Sequence, residues 1–257
     1  MDLSLLDYLA AGGAALAAGA VNALAGGGTL ISFPTLIALG VPAVAANVTS
    51  TVALCPGYLA GTHAQRDDLA AQSHRLRRLA AAAAAGGLAG SVLLIFTPDR
   101  AFRAVVPYLI LLSCGLLASG ERVRTWVRPA GGAGEPVAAP APSIGLCIAV
   151  AGAALYGGFF GAGLGIMVLA VLALWSDDSL VRLNALKQAL SLVINVVAAV
   201  VFAFSGHVRW ELVPVMAVTS LIGGNLGGRF SRRVNQDLLR HLVVLAGVGV
   251  AISLWVS

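Results

Sequence analysis

Charged side chains are scarce in this sequence. Asp, Glu, Lys and Arg together make up 11% of the 257 residues, whereas 59% are hydrophobic. Soluble domains carry about 25% charged residues, so this chain cannot cover a water-facing surface. The mean hydropathy is +0.92, and several runs reach the roughly 20 apolar residues needed to cross a bilayer. The composition therefore predicts an all-α integral membrane protein and argues against an ordinary soluble domain.

Several chemical signals are also missing. The three cysteines lie singly in apolar runs, without metal-ligand spacing, and give no reason to propose a metal site or a disulfide. No Asp or Glu lies in the middle of an apolar run, and no G-x-x-x-x-G-K-[ST], G-x-S-x-G or H-E-x-x-H motif occurs. We therefore expect neither an enzyme nor a cofactor. The formal charge of +5 comes largely from arginines in short loops, so it does not indicate nucleic-acid binding.

What the chain does contain is a copy of itself, displaced by 137 positions. Gly26 and Gly28 correspond to Gly163 and Gly165, and Asn47 corresponds to Asn184. The later glycine clusters match in the same frame: Gly86, Gly87 and Gly90 correspond to Gly223, Gly224 and Gly227. A duplicated membrane domain with glycine-interrupted helices is typical of secondary transporters.

Each half contains five apolar segments. They lie at about 5–25, 28–40, 42–62, 79–96 and 104–120, and at about 143–163, 164–175, 184–205, 211–228 and 241–257. The intervening stretch is rich in Pro and Gly, which is typical of a linker. We predict one transmembrane domain over 1–257, with repeat one at 1–120, a cytoplasmic linker at 121–142 and repeat two at 143–257.

The second segment of each half is too short to span the membrane. Residues 28–40 would cover about 20 Å as a helix, against a hydrocarbon core of about 30 Å. Segments one and two are better interpreted as a re-entrant helical hairpin with a glycine tip inside the membrane, followed by three transmembrane helices. Irregular backbone at that depth must be buried in protein or line a wet cavity.

Loop charges support this topology. With re-entrant hairpins, one side collects the loops 63–78, 121–142, 176–183 and 229–240, which hold most of the arginines, and the other side holds Arg100, Arg103 and Arg209. A single broken span in place of each hairpin would divide the arginines almost evenly. The positive-inside rule favours the hairpins, and the odd segment number makes the two repeats inverted. Both termini would then face outward, and the linker would be cytoplasmic in a multi-pass cell (plasma or inner) membrane protein.

The glycine tips and their flanks resemble a known family. Residues 18–28 (AGAVNALAGGG), Pro34 and residues 46–50 (ANVTS) look like the first signature of the sulfite exporter TauE/SafE family. Residues 156–165 (YGGFFGAGLG) and 184–187 (NALK) resemble its second signature, and Trp210 with residues 223–228 (GGNLGG) also fits. The resemblance covers nearly the whole chain except the linker.

This resemblance implies a permease for small sulfur-containing or organic anions, such as sulfite, sulfonates and sulfoacetate. The sequence also departs from the family pattern. Ala162 and Leu164 interrupt the second glycine cluster, and Val171 stands at the position equivalent to Pro34. These departures predict a second tip that is more regularly helical than the first.

The two tips are the first candidate site for an anion. A short helix follows each tip, beginning at Thr29 and near Ile166. The first turn of a helix leaves N–H groups unpaired and carries about +0.5 of a charge. Two such ends meeting near the bilayer midplane would form an anion cradle. Close helix packing through small residues is the alternative, and we favour it for the glycine clusters at 86–90 and 223–227.

Lys187 is the only lysine, and it lies within an apolar run. An ionised side chain at that depth indicates function, so it could bind an anion or act as a gate; alternatively it extends to water at the cytoplasmic interface. Its counterpart is Ser50, and Thr51 corresponds to Gln188. The hydroxyls near Asn47 could donate to the anion or bond to their own helix. Asn22 could brace the first tip or contact the ligand.

Further polar residues, Ser32, Tyr156 and Asn195, are weaker candidates. The candidate substrate-binding residues are Asn22, Gly26, Gly27, Gly28, Thr29, Asn47, Thr49, Ser50, Gly161, Gly163, Gly165, Asn184, Lys187 and Gln188. The expected partners are a small anionic substrate and the lipid bilayer, with a homodimer possible. A passive anion channel, an accessory membrane subunit and an intramembrane enzyme are the competing interpretations.

Overall fold

The computed structural model of the chain describes residues 3–24, 26–70, 72–119, 142–176, 178–230, 243–245 and 247–252. Within these ranges the chain is helical and contains no strand. The helices are α1 (Leu5–Leu24), α2 (Thr29–Ala38), α3 (Ala43–Ala64), α4 (Arg66–Ala70), α5 (Ser73–Ile95), α6 (Asp99–Ala118), α7 (Ile144–Phe159), α8 (Leu164–Leu174), α9 (Leu180–Ala203) and α10 (Val213–Phe230). Residues 243–245 and 247–252 are also helical.

The helices α1, α3, α5, α6 and α9 are long and apolar enough to cross a membrane. Large apolar side chains on helix surfaces, such as Leu9, Ile148 and Val200, are exposed to the surroundings, where lipid tails would cover them. The prediction of an all-α integral membrane protein is confirmed. The predicted linker lies outside the described residues apart from Pro142.

The second helix of each repeat is short. Helix α2 has 10 residues and α8 has 11, so each covers about 15 Å and cannot span the hydrocarbon core. Each packs against the helix before it, α2 on α1 and α8 on α7. This arrangement agrees with the predicted hairpins.

Several helix starts differ from the prediction because the apolar runs are shorter than the helices. Helices α5, α6 and α9 begin at Ser73, Asp99 and Leu180, four to six residues before the predicted apolar segments. Polar residues can form the first turn of a helix outside the hydrocarbon, and a cap favours this start. At α9, the Ser179 hydroxyl accepts the Arg182 N–H at 3.4 Å. The short helix α4 was not predicted.

The two repeats interlock rather than lie side by side. Helix α1 packs on α10 of the other repeat, and its counterpart α7 packs on α5. Helix α3 packs on α10, and its counterpart α9 packs on α5. Each of these pairs therefore has an equivalent pair in the 137-residue frame.

Backbone-to-backbone contacts hold these helices together. A methyl group on Gly223 would overlap the carbonyl of Leu16 in α1, and one on its counterpart Gly86 would overlap the carbonyl of Ala151 in α7. Such close approach is possible only where a side chain is absent. These glycines therefore allow close helix packing, which is the role predicted for the glycine clusters at 86–90 and 223–227.

The equivalent helices α3 and α9 run antiparallel. Near the start of α9, the Asn184 amide donates to Gln65 Oε1 at 2.7 Å, just beyond the end of α3. At the other end, the Arg209 N–H donates to Thr49 Oγ1 near the start of α3 at 2.9 Å. Antiparallel equivalent helices are the arrangement that inverted repeats require.

Candidate functional site

The first glycine tip joins α1 to α2 through a sharp turn. Gly26 has φ of 83°, which only glycine adopts without strain, and its N–H donates to the Val21 carbonyl at 2.9 Å. The Gly28 N–H donates to Asn22 Oδ1 at 2.7 Å, in a buried contact. Asn22 therefore braces the first tip, which is one of the two roles predicted for it. Helix α2 begins at Thr29, as predicted.

The second tip is broken as well. Helix α7 ends at Phe159, and both Gly161 and Gly163 have positive φ, at 77° and 72°. The prediction of a more regularly helical second tip was therefore wrong. Ala162 cannot continue the helix because its two neighbours, Gly161 and Gly163, both have left-handed backbone conformations. Helix α8 begins at Leu164, two residues before the predicted start.

Side chains from two helices hold the second tip. The Tyr156 hydroxyl donates to the Ala162 carbonyl at 2.8 Å and lies 2.7 Å from Ser113 Oγ. Ser113, in α6 of the other repeat, also donates to Ala162 O at 3.0 Å. Tyr156 was predicted as a weak ligand candidate, and its bonds assign it to the tip instead. Ser113 was missed, because nothing in the sequence links α6 to a loop 49 residues later.

The two tips meet directly. A Cβ built on Gly165 would lie 2.7 Å from Gly26 Cα, and the reverse construction gives the same distance. A Cβ on Gly161 would lie 4.0 Å from the Thr29 hydroxyl. The beginnings of α2 and α8 are therefore brought together from the two repeats. The N–H groups of Leu30, Ile31 and Ile166 already donate to carbonyls of the tips, so the positive ends of the two helix dipoles are what make this junction suited to an anion.

Lys187 lies on α9, three residues beyond Asn184, and its side chain is buried. Its side chain is 1% exposed, so it does not extend to the surface of the protein as the interfacial alternative required. No carboxylate pairs with it within the part of the chain that the structure describes. Burying an unpaired ammonium group is costly, which makes Lys187 a candidate to receive an anion.

Other buried polar atoms near α9 also have no partner among the described residues. They include both amide atoms of Gln188, the Ser191 hydroxyl and Nδ2 of Asn22. Gln188 lies beside Gly61, where an added Cβ would be 2.5 Å from its Nε2 and 3.4 Å from the Ala23 methyl. Gln188 is thus close to α1 near the first tip. Buried polar groups are normally hydrogen-bonded, so such a cluster points to a ligand or water.

Ser191 was not among the predicted residues. A sequence signal existed, because Gln188 and Ser191 are three positions apart and share one face of a helix. In the other repeat the equivalent of Ser191 is the apolar Leu54. Comparison of the two repeats therefore did not mark this position as polar in both.

Several predicted residues bond elsewhere. Asn47 donates to the Phe159 carbonyl at 3.0 Å, at the end of α7. Ser50 and Ser32 hydroxyls lie 2.6 Å apart, joining α3 to α2. Thr49 and Asn184 make the contacts that align α3 with α9. Asn47 and Ser50 thus contact the elements that flank the tips, the end of α7 and the first turn of α2, whereas Thr49 and Asn184 lie farther from them. The role of all four as ligands stays a prediction.

Comparisons with known proteins agree with these features. The family model described as sulfite exporter TauE/SafE matches residues 11–254. The chain is 24% identical over 246 residues to "Probable membrane transporter protein ORF9" of Sinorhizobium sp, covering 94% of this chain and 89% of that one. It is 25% identical over 248 residues to "Probable membrane transporter protein YfcA" of Escherichia coli (strain K12), covering 93% and 86%.

A third relative is "Probable membrane transporter protein" of Haemophilus influenzae, 26% identical over 233 residues and covering 88% of this chain and 85% of that one. No solved structure matches the chain. The matches extend over both repeats, so they concern the whole membrane domain.

Proposed function

Because the chain belongs to the sulfite exporter TauE/SafE family, we propose that this membrane transporter is a secondary transporter of small anions, with sulfite and organosulfonates as the first candidates. The proposed site lies near the bilayer midplane, where the two glycine tips meet. The observation that carries this proposal is the backbone contact between Gly26 and Gly165, which brings two helix beginnings to one point.

The electrostatics at this junction favour an anion. The beginnings of α2 and α8 contribute partial positive charge from both repeats. Lys187 adds a full charge that no described carboxylate neutralises, and the Asn22 and Gln188 amides supply further donors. These groups belong to four helices, α1, α2, α8 and α9. A sulfite or sulfonate group, with three acceptor oxygens, matches such a donor set.

Transport also needs access from both sides in turn. The antiparallel α3 and α9, with the paired packing of α1 on α10 and α7 on α5, support inverted repeats. Inverted repeats can exchange conformations and so alternate the side from which a central site opens. The arginine distribution supports a cytoplasmic linker and a location in the plasma or inner membrane.

The test is flux of labelled sulfite and a panel of sulfonates and carboxylates into proteoliposomes that contain the purified protein. Lys187→Met should lower kcat/KM by about 10- to 150-fold, because a hydrogen bond to a charged group contributes about 1.5–3 kcal/mol. Lys187→Arg should keep most of the flux. Arg103→Met, which removes an exposed charge, is the matched control and should have no effect.

Each competing interpretation gives a different result. Flux that does not saturate and shows no exchange with anion on the far side would identify a passive channel. Absence of flux for every anion, with folded protein, would favour an accessory subunit. Saturable flux that Lys187→Met leaves unchanged would retain the transporter and remove Lys187 from its site.

A further inference from the structure

One end of the molecule is closed by a largely buried group of charged and polar residues, Gln72, Arg75, Asp178 and Arg182, which we call the ion-pair cluster. Arg75 Nη1 lies 3.6 Å from Asp178 Oδ2, and Arg182 Nε lies 3.1 Å from Asp178 Oδ1. The exposed fractions of the three charged side chains are 8%, 17% and 24%. Arg75 also donates to the Ser176 hydroxyl.

The ion-pair cluster joins the two repeats. Gln72 and Arg75 belong to the α4–α5 region of repeat one, whereas Asp178 and Arg182 lie at the start of α9 in repeat two. The Gln72 amide donates to the Arg182 carbonyl at 3.0 Å. These contacts must therefore break if the two repeats separate at this end.

The opposite end of the molecule is less tightly closed, although the Arg209 N–H donates to Thr49 Oγ1 between the two repeats there. A cavity of about 520 Å³ lies there. Its walls come from both repeats, with Val44 and Ala45 at the start of α3, Phe96 after α5, and Val208 and Arg209 before α10. The cavity is large enough for a small anion and several waters.

The internal duplication relates these two ends. In the 137-residue frame, Arg182 corresponds to Ala45 and Gln72 corresponds to Arg209. Gln72 and Arg182 are hydrogen-bonded to each other within the ion-pair cluster, whereas their counterparts Arg209 and Ala45 both line the cavity. Equivalent positions thus bond to each other at one end and line a cavity at the other.

We propose that the ion-pair cluster is the gate that closes the pathway to Lys187 at the arginine-rich end, and that it opens when the cavity at the other end closes. This inference rests on the proposed function. Lys187 lies five residues beyond Arg182 on α9, about 7.5 Å along the helix. Leu183 shares the face of Lys187 and is buried next to Arg182, so separation of the ion-pair cluster would expose Leu183 and, beyond it, Lys187 to water on that side.

The chemistry of the ion-pair cluster suits a contact that must break and re-form. Desolvation offsets much of the attraction in a buried ion pair, so its net contribution to stability is small. The ion-pair cluster holds two guanidinium groups and one carboxylate. Loss of the carboxylate charge would leave two like charges facing each other and favour the open gate.

The experiment measures access to each end by cysteine labelling. Cys55, Cys114 and Cys147 are first replaced by Ala, and single cysteines are introduced as Leu183→Cys or Val208→Cys. Leu183 is fully buried next to Arg182, on the side of Lys187, and Val208 lines the cavity. Labelling rates with a membrane-impermeant maleimide are then measured in oriented vesicles, from the side that each cysteine would face.

Asp178→Asn should raise the labelling rate at position 183 by about tenfold or more and lower the rate at position 208. Asp178→Glu should leave both rates close to those of the parent. Glu211→Gln, which removes a carboxylate from the exposed Arg209 pair at the cavity, is the matched control and should not raise the rate at position 183.

The reciprocal change distinguishes a gate from a structural contact. If Asp178→Asn raises both rates, the ion-pair cluster only supports packing and the proposal is overturned. If it changes neither rate, the proposal is also overturned. The labelling requires no substrate. Reciprocal changes in the labelling rates without anion flux would therefore support the gate and contradict only the proposal that the substrate is one of the tested anions.

Discussion

The contact between the two glycine tips can be tested by adding one methyl group. Gly165→Ala places a Cβ 2.7 Å from Gly26 Cα and 3.4 Å from the Gly26 carbonyl oxygen. Gly165 has no positive φ, so the substitution introduces no backbone strain of its own. Any effect would come from the contact between the tips.

The size of the effect follows from these distances. Carbon atoms in contact normally lie about 3.5–4.0 Å apart, so the tips must move apart by about 1 Å. The opposing atom belongs to the backbone, and no side chain can rotate away to relieve the overlap. Overpacking of this kind costs about 1–3 kcal/mol of stability. A displacement of about 1 Å at the proposed site should also abolish most of the anion flux.

The assay combines thermal unfolding in detergent with flux in proteoliposomes. Gly152→Ala is the matched control, because Gly152 also lies in repeat two and a Cβ there would meet nothing within 4 Å. We expect Gly152→Ala to match or exceed the parent in stability, since Ala is favoured over Gly in a helix by about 1 kcal/mol. If Gly165→Ala melts and transports like Gly152→Ala, the tips do not meet as described.

Two further substitutions test the supports around the site. Tyr156→Phe removes the hydroxyl that donates to Ala162, and we expect a loss of about 1 kcal/mol in the free energy of unfolding; an unchanged melting temperature would show that Ser113 holds the second tip alone. Gly224→Ala would place a Cβ 2.9 Å from Gly57 Cα, so we expect a loss of about 1–3 kcal/mol from the packing of α10 on α3. A variant that melts like the parent would contradict that packing.

Much of the fold followed from the sequence because membrane helices must be continuous and apolar. The short segments after each tip were predicted as α2 and α8, and the start of α2 at Thr29 was correct. The starts of α5 and α9 were less accurate. Hydropathy detects only the part of a helix inside the hydrocarbon, whereas caps such as Ser179 extend the helix beyond it.

The site was harder to predict because its contacts are long-range. Glycine spacing indicated two tips, but not that Gly26 would contact Gly165. Ser113 supports a loop 49 residues away, and sequence periodicity carries no information about such pairs. The burial of Lys187 argues against the interfacial alternative; whether Lys187 binds the anion stays a prediction.

The duplication explains why the two repeats can differ without losing their common architecture. Equivalent packing pairs are conserved between the repeats, such as α1 on α10 and α7 on α5, because close backbone contacts tolerate no larger residue. Polar positions differ instead. Ser50 pairs with Ser32, whereas its counterpart Lys187 has no carboxylate partner among the described residues. If both repeats carried a lysine, the two charges would repel within one membrane domain. Under the proposed function, a single lysine and two converging helix ends would give an anion one strong charge, while the shared scaffold would let both ends open in turn.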